Sequence, residues 1–443
     1  MISQIIFIVV LIIAIVSFWR AVSRISKNIH LGRPLDRTDN PGERWKTMCM
    51  VAIGQSKMVK RPFAGILHIF VYAGFIIINI EVLEILIDGV MGTHRVFSFL
   101  GSFYTFLITA FEFLGVAVWI SCFIFLLRRN VAKLKRFWSR EMTTWPRSDA
   151  NIILITEILL MTAFLLLDTS DTLIQRSANA QYSGFAVSNM LTPLLANSSV
   201  STLEIIEHSC WWFHIIGILA FLNYVPYSKH FHIILAFPNV WYSNLNPKGE
   251  FTNLASVTKE IHLMLNPEAA PADAGNAAPP ERFGAKDVFD LSWKQLMDSY
   301  SCTECGRCTS SCPANQTGKL LSPRKIMMDT RDRLEEVGKN IAKNARPDEP
   351  FGRGKFVDDG KSLLNDYIVP EEVWACTSCN ACVQECPVDI DPLSIIVDIR
   401  RFLVMEQSAA PQELAMMLNN IENNGAPWQF PASDRLNWVS GVN

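Results

Sequence analysis

Apolar positions crowd the first 240 residues of this 443-residue chain and thin out after them. Five runs, roughly Ile2–Trp19, Phe63–Ile87, Leu100–Leu127, Asn151–Leu167 and Leu203–Val225, dominate that half. A helix needs about 20 mainly apolar residues to cross a bilayer, so each run predicts a membrane span. The first run has no basic residue before its apolar core and no small-residue cleavage site after it, so a retained anchor is expected rather than a signal peptide. Residues 241–443 have the mixed, charged pattern of a soluble region. Within it "NPEAAPADAGNAAPPERFG", Asn266–Gly284, has no periodicity and reads as a tether. The segments "SPRKIMMDTRDRLEEVGKNIAK" and "DPLSIIVDIRRFLVMEQ" read as helices.

Charge orients the spans. Ten Lys or Arg lie between Arg20 and Arg61, and seven between Arg128 and Arg147. The alternate loops hold only Arg95 and Arg176. Basic loops stay cytoplasmic, which predicts an outside N-terminus and places everything after the fifth span inside, in a cytoplasmic (inner) membrane. Trp19, Trp138, Trp145 and Trp241 sit near predicted span ends, as interfacial tryptophans do. Net charge is −2, which gives no reason to expect a nucleic-acid partner.

Eight of the eleven cysteines fall into two copies of one pattern. "CTECGRCTSSCP" holds Cys302, Cys305, Cys308 and Cys312; "CTSCNACVQECP" holds Cys376, Cys379, Cys382 and Cys386. C-x2-C-x2-C-x3-C-P is the spacing that wraps cubane iron–sulfur clusters, the fourth cysteine serving the other cube. Cluster one is therefore expected on Cys302, Cys305, Cys308 and Cys386, and cluster two on Cys376, Cys379, Cys382 and Cys312. Disulfides do not suit a cytoplasmic domain, and zinc sites favour two C-x2-C pairs. The 63 residues between the motifs exceed the spacing of a bacterial ferredoxin, so a helical dicluster domain is expected over 287–407. The fold class is thus mainly α. A five-helix transmembrane bundle (1–240) leads through a linker (241–286) to a helical dicluster ferredoxin-like domain and a tail (408–443). Cys49, Cys122 and Cys210 read as small apolar fillers or free thiols.

Four of the eight histidines lie in "HSCWWFHIIGILAFLNYVPYSKHFH", His208–His232. An ionisable residue inside a span is a functional hypothesis by default. At about 100° per residue, His214 and His232, eighteen apart, share one helix face, about 27 Å apart in a straight helix. His208 and His230 fall on other faces, and His230 reads as a headgroup or loop contact beside Lys229. His68, near the cytoplasmic end of the second span, lies at the depth of His232. Two histidines on antiparallel helices at one depth suit a b-type haem, and Gly65 and Gly74 would let the macrocycle approach the backbone. His214 is the candidate ligand of a second haem, its partner being His94, His208 or Met91. Glu81, Glu84, Asp88, Glu112 and Glu157 are candidates for proton transfer or quinone contact, with packing roles equally open.

These residues carry a resemblance. "HIIGILAFLNYVPYSKHFH" resembles the last membrane helix of respiratory nitrate reductase gamma subunits, whose two haem-ligating histidines share the eighteen-residue spacing. His68 matches the first of that family's two histidines on its second helix; Ile78 stands where the deeper one would be. "VWACTSCNACVQECPVDIDPLSIIVDIRR" and "NNIENNGAPWQFPASDRLNW" are similar to heterodisulfide reductase-related iron–sulfur proteins. The combination resembles membrane proteins that link electron-transfer flavoproteins, or other soluble donors, to menaquinone. Many relatives continue into cysteine-rich domains with Cys-Cys-Gly motifs, and this sequence has no adjacent Cys-Cys pair. The resemblance therefore implies a membrane-bound electron-transfer subunit with two [4Fe–4S] clusters and haem b. Its partners would be membrane lipid, quinone, and a separate Cys-Cys-Gly iron–sulfur subunit or an electron-transfer flavoprotein, with the tail after Gln407 as a docking surface. The alternative is a redox sensor or assembly protein. A cation-exporting complex resembling copper-oxidase accessory ferredoxins is disfavoured, because its cluster motifs usually lie closer together.

Overall fold

The computed structural model describes residues 2–178, 185–269, 282–345 and 354–441. Most of the expected Asn266–Gly284 tether lies outside the described residues. Among those described, the chain is helical and forms no strand. Five helices are long and apolar enough to span a membrane: α1 (Ile2–Ile29), α3 (Pro62–Met91), α4 (Ser102–Asn130), α5 (Thr144–Ser177) and α6 (Val200–Tyr224). Each overruns the apolar stretch read from the sequence, because polar ends continue the helix past the hydrocarbon. Pro62 at the start of α3 lacks only an N–H that would be unpaired there. Gly92, at φ 71°, ends α3 in a left-handed cap.

The spans close a ring. α1 packs on α3 and α6, α3 on α4, α4 on α5, and α5 on α6. Ile5, Ile12, Ile66, Phe106, Ile155 and Phe213 are exposed around its outside, as lipid-facing side chains are. Small residues bring the helices together. A Cβ on Gly74 would lie 2.4 Å from Cγ2 of Val118 on α4. Gly74 therefore serves the α3–α4 contact, not the approach of a macrocycle. Gly65 behaves alike: its Cβ would meet the Met58 carbonyl oxygen at 2.7 Å.

Three shorter helices prepare the second domain. α2 (Pro41–Met48) and α7 (His232–Trp241) pack together at one end of the ring, and α8 (Ala255–Leu265) follows. Fully buried Arg44 ties α2 to the end of α7 through the Trp241 and Ser243 carbonyls, each at 2.9 Å. The second domain is built on α9 (Trp293–Ser301), α10 (Pro323–Lys343) and α11 (Pro392–Met405), followed by α12 (Gln412–Asn424) in the tail. Its core (Leu291, Leu296, Ile326, Leu334, Val337, Ile395, Ile399) is continuous with Ile25, Ile29, Phe221 and Val225 at the end of the bundle. Burial of those side chains joins the two parts as well as folding each.

Candidate redox site

The two cysteine motifs adopt one backbone shape twice. In the first, Glu304 and Gly306 have φ of 52° and 69°; in the second, Ser378 and Asn380 have 56° and 58°. Glycine and asparagine suit that left-handed region. A short helix follows each loop, Arg307–Ser310 and Ala381–Glu385, and Pro313 and Pro387 follow the fourth cysteines. Thiols of the two motifs are electrostatic neighbours, Cys308 and Cys382 among them. Cys386 lies within electrostatic reach of Cys305 and Cys308, and Cys312 within reach of Cys376 and Cys382. Cys302 faces Cys305, and Cys379 faces Cys376. Among the described residues, no three His, Cys, Asp or Glu are gathered tightly enough to hold one metal ion. The support for iron is the donor chemistry, eight thiols in two motifs of the spacing that wraps cubane clusters.

Sulfur ligands are tuned by hydrogen bonds. The Ser378 N–H donates to Cys376 Sγ at 3.4 Å, and the Ile390 N–H to Cys386 Sγ at 3.3 Å. Burial, with Glu304 and Cys305 nearby, pushes the Cys302 thiol up to about 11. Burial and neighbouring thiols also hold Cys308 and Cys386 well above the ordinary range. A bound iron reverses that balance, since a coordinating thiol is deprotonated outright. The donor set therefore fits two iron–sulfur clusters.

Both cysteine motifs are tied to the bundle, the first more extensively. Arg307 donates to the Lys57 and Met58 carbonyls at 2.9 and 3.3 Å. Arg61, just before α3, reaches Glu385 at 2.9 Å, and Lys57 pairs with Asp389. Arg324, fully buried, donates to the Arg136 carbonyl at 2.7 Å and to Glu141 at 2.6 Å. Glu304 receives Arg331 at 2.7 Å and Lys229 at 2.5 Å. The basic loops that set orientation in the sequence thus also hold the second domain. A separate groove of about 1270 Å³ opens between residues 135–149 and α10, lined by charged side chains that include Lys135, Lys325, Asp329 and Glu335.

Three histidines gather beside the first loop. His230 and His232 lie 5.5 Å apart edge to face, and His68 on α3 is in electrostatic reach of both and of Arg307. Helix phase, taken from the sequence, sets His230 apart from this group. The helix carrying that phase stops: α6 ends at Tyr224, tight turns cover Val225–Tyr227 and Lys229–Phe231, and Ser228 between them is extended. Pro226 and the Ser228 hydroxyl, which accepts from the His230 N–H at 3.1 Å, account for the break. His214 and His232 therefore do not share one straight helix. Burial, with His232 and His68 adjacent, pushes His230 down to about 3, and burial also lowers His232. His232 Nδ1 lies 3.0 Å from the Lys229 carbonyl, leaving Nε2 as the lone-pair nitrogen. His68 Nδ1 is buried without a hydrogen-bond partner. Buried, neutral imidazoles are the kind of donor a haem iron takes. His214, buried on α6, sets its Nδ1 3.0 Å from the Leu160 carbonyl of α5 and its ring against Phe164. His94 turns to Asp171 and His208 to Glu207, both side chains largely exposed, and Ile78 is packed in the α3–α4–α5 core.

At the far end of the ring an ionic network has only a faint sequence signal. Arg95 joins Asp168 at 3.0 Å and Asp171 at 2.6 Å, and donates to the Tyr104 hydroxyl, which donates to Glu84. The hint is two aspartates at the end of an apolar run. Asp88 accepts from the Arg95 and Val96 amides, and Glu112 from the Val187 and Ser188 amides, so both anchor loops. Glu81 Oε2 is buried and has no hydrogen-bond partner among the described residues.

Comparison with known proteins agrees with this architecture. Residues 301–390 match the 4Fe–4S dicluster domain family. Over 98% of its length the chain is 28% identical to a probable iron-sulfur-binding oxidoreductase, FadF, of Bacillus subtilis. Over 91% it is 27% identical to the EtfAB:quinone oxidoreductase of Syntrophomonas wolfei. It spans 60% and 55% of the length of those two relatives. A segment covering 29% of the chain is 32% identical to 60% of a ferredoxin/F(420)H(2)-dependent CoB-CoM heterodisulfide reductase subunit of Methanosarcina acetivorans. No solved structure matches the chain. The chain thus has iron–sulfur oxidoreductases and heterodisulfide reductase subunits among its homologues, and it joins a 4Fe–4S dicluster domain to five helices long and apolar enough to cross a membrane.

Proposed function

We propose that this chain is a membrane-bound electron-transfer subunit. It passes electrons between a cytoplasmic redox partner and the quinone pool, menaquinone by resemblance, through two [4Fe–4S] clusters and a haem b. The observation that carries the reading is the contact between cofactor sites. Arg307, inside the first cysteine motif, is in reach of His68, and Lys229, beside His230, binds Glu304, beside Cys305. The clusters and the haem each exchange single electrons, whereas a quinone takes two electrons and two protons.

Within this reading Cys302, Cys305, Cys308 and Cys386 hold one cluster, and Cys376, Cys379, Cys382 and Cys312 the other. His68 and His232 hold the haem through Nε2. The Lys229 carbonyl fixes the His232 tautomer, as partners of a ligating histidine do. Arg307 and the Lys229–Glu304 pair hold the cysteine loop against the histidines. His214, with Nε2 free and a backbone partner on Nδ1, is the candidate ligand for a second haem. Glu81, with one buried oxygen that no hydrogen bond reaches among the described residues, is proposed to exchange the quinone's protons.

The basic loops and the dicluster domain lie at one end of the bundle, which the positive-inside preference assigns to the cytoplasm. The partner-side centre is proposed to lie on another chain, a Cys-Cys-Gly iron–sulfur subunit or an electron-transfer flavoprotein. A relative that couples EtfAB to quinone favours the second. The tail offers it exposed Met416, Leu418, Ile421, Trp428 and Phe430. A reduced-minus-oxidised spectrum of the purified protein tests the proposal. A b-type band is expected, together with iron–sulfur bleaching, and the band is lost in the His68→Ala/His232→Ala double variant. No b-type band in the wild type, or a band that survives both substitutions, overturns the haem assignment.

A further inference from the structure

The two cysteine motifs share one backbone shape and both touch Arg61 of the bundle, the second through Glu385, yet the residues inside the two loops differ. At the positions held by Glu304, Gly306 and Arg307 in the first loop, the second has Ser378, Asn380 and Ala381. Glu304 and Arg307 are buried in ion pairs and hydrogen bonds with the bundle and α10. Their counterparts are short, uncharged and bound to nothing on the bundle. Cys305 is half-buried, whereas Thr377 and Cys379 are exposed.

That exposure is braced. Arg400 on α11 donates to the Val373 carbonyl at 2.9 Å, to the Cys376 carbonyl, and to the Ser378 hydroxyl at 3.3 Å, with its guanidinium over the Trp374 ring. The loop therefore presents a fixed face. An uncharged face can be covered by a protein without stripping water from an ion, a step that costs several kcal/mol for an unpaired charge. Lys248, bonded to Gln384, lies near Lys57, Asp389 and Lys60; Lys57 is paired with Asp389, so Lys248 and Lys60 leave the adjoining fringe net positive. Such a fringe steers an acidic surface towards the loop.

We infer that the Thr377–Cys379 loop is the electron port of this chain, the face on which a soluble one-electron carrier protein with an acidic docking surface settles. The inference rests on the electron-transfer reading above and adds the direction of the internal path. Exchange with the carrier takes place at the quartet containing Cys379, and the quartet containing Cys305 faces the histidines. In each encounter the carrier loses one electron and the centre held by Cys376, Cys379, Cys382 and Cys312 gains it, with no proton crossing the interface.

The test uses the full-length protein in detergent, with anaerobically reduced electron-transfer flavoprotein as the protein donor and reduced methyl viologen as the small donor. Thr377→Trp is expected to weaken flavoprotein binding, measured by thermophoresis, by roughly tenfold or more, about 1.4 kcal/mol. It should slow flavoprotein-driven bleaching to match and leave viologen-driven bleaching unchanged. Lys343→Trp, at the exposed end of α10 and outside both motifs, should change neither. Added salt should weaken wild-type binding. Unchanged binding in Thr377→Trp, or a loss confined to Lys343→Trp, overturns the port alone. Wild-type clusters that accept electrons from viologen but not from the flavoprotein overturn both the port and the proposed donor. Wild-type protein that viologen does not bleach overturns the electron-transfer reading itself. Should Thr377→Trp lose its clusters, Thr377→Glu is read by the same binding and bleaching criteria, its charge opposing an acidic carrier.

Discussion

The Lys229 ammonium lies 2.5 Å from a carboxylate oxygen of Glu304, both side chains at least nine-tenths buried. Lys229 precedes His230, and Glu304 precedes Cys305, so one ion pair sets the spacing between the two kinds of candidate ligand. Removing one partner of a buried pair typically costs about 3–5 kcal/mol. Lys229→Ala is expected at that lower limit, about 3 kcal/mol, because Arg331 still satisfies Glu304. Thermal unfolding of the detergent-solubilised protein, with limited proteolysis between the two domains, measures it.

Glu304 and Glu141 both sit below the ordinary carboxylate value of 4.5 despite their burial, held there by Arg331 and Lys229 in one case and Arg324 in the other. A carboxyl whose folded value is depressed stabilises the fold above its unfolded value and loses that contribution as pH falls through the folded one. The seal between the domains should therefore loosen below about pH 4.5. Glu304→Gln should have a shallower stability profile there than the wild type.

Asp329 has the opposite sign. Burial raises it to about 7, against the pull of Lys325. Its folded form favours the proton, so stability is greatest below the unfolded value and falls as pH rises towards 7. Asp329→Asn is expected to flatten that part of the profile and to raise the melting temperature at pH above 7, read by a melting series across pH.

The crossed order expected from the cysteine spacing predicts which cysteine variants resemble one another. Cys386→Ser should leave the same residual electron paramagnetic resonance spectrum as Cys302→Ser, and Cys312→Ser the same as Cys376→Ser. Pairing by motif, with Cys312→Ser matching Cys302→Ser, would show the crossover to be wrong.

His230 and His232 are chemically equal and lie 5.5 Å apart, but the Nδ1 of His232 is the one placed against the Lys229 carbonyl. His232→Ala is therefore expected to abolish the b-type band, whereas His230→Leu retains it with a shifted midpoint potential. Redox titration followed in the visible spectrum distinguishes the two.

Much of this architecture is legible from residue order alone. Apolar runs separated by charged loops define spans without reference to neighbours, and the cysteine spacing fixes a local loop whatever surrounds it. The nearness of His68 to His232 follows from span order and depth, but the place of His230 beside them is not legible, because a helical phase argument fails at the first interruption, and Pro226 with Ser228 supplies one. Gly65 and Gly74 mislead for a related reason. A glycine in a span signals close approach, but only the folded chain shows that the visitors are the Met58 carbonyl and Val118. The Arg95–Asp168–Asp171 network joins residues more than seventy positions apart and has no local pattern.

The hydrogen bond from Asn28 to Tyr300 joins residues 272 positions apart, and Trp293 reaches back to the Leu35 carbonyl across 258. Chains emerge from the ribosome at about 5–20 residues per second. The C-terminal end of the first span therefore waits roughly a quarter of a minute to a minute for the partner that will cover it. During that interval the finished bundle leaves its basic rim uncovered. Insertion of the membrane part thus precedes closure of the molecule, and a nascent chain stalled before Tyr300 is a distinct species that a biogenesis factor or the lipid headgroups have time to meet.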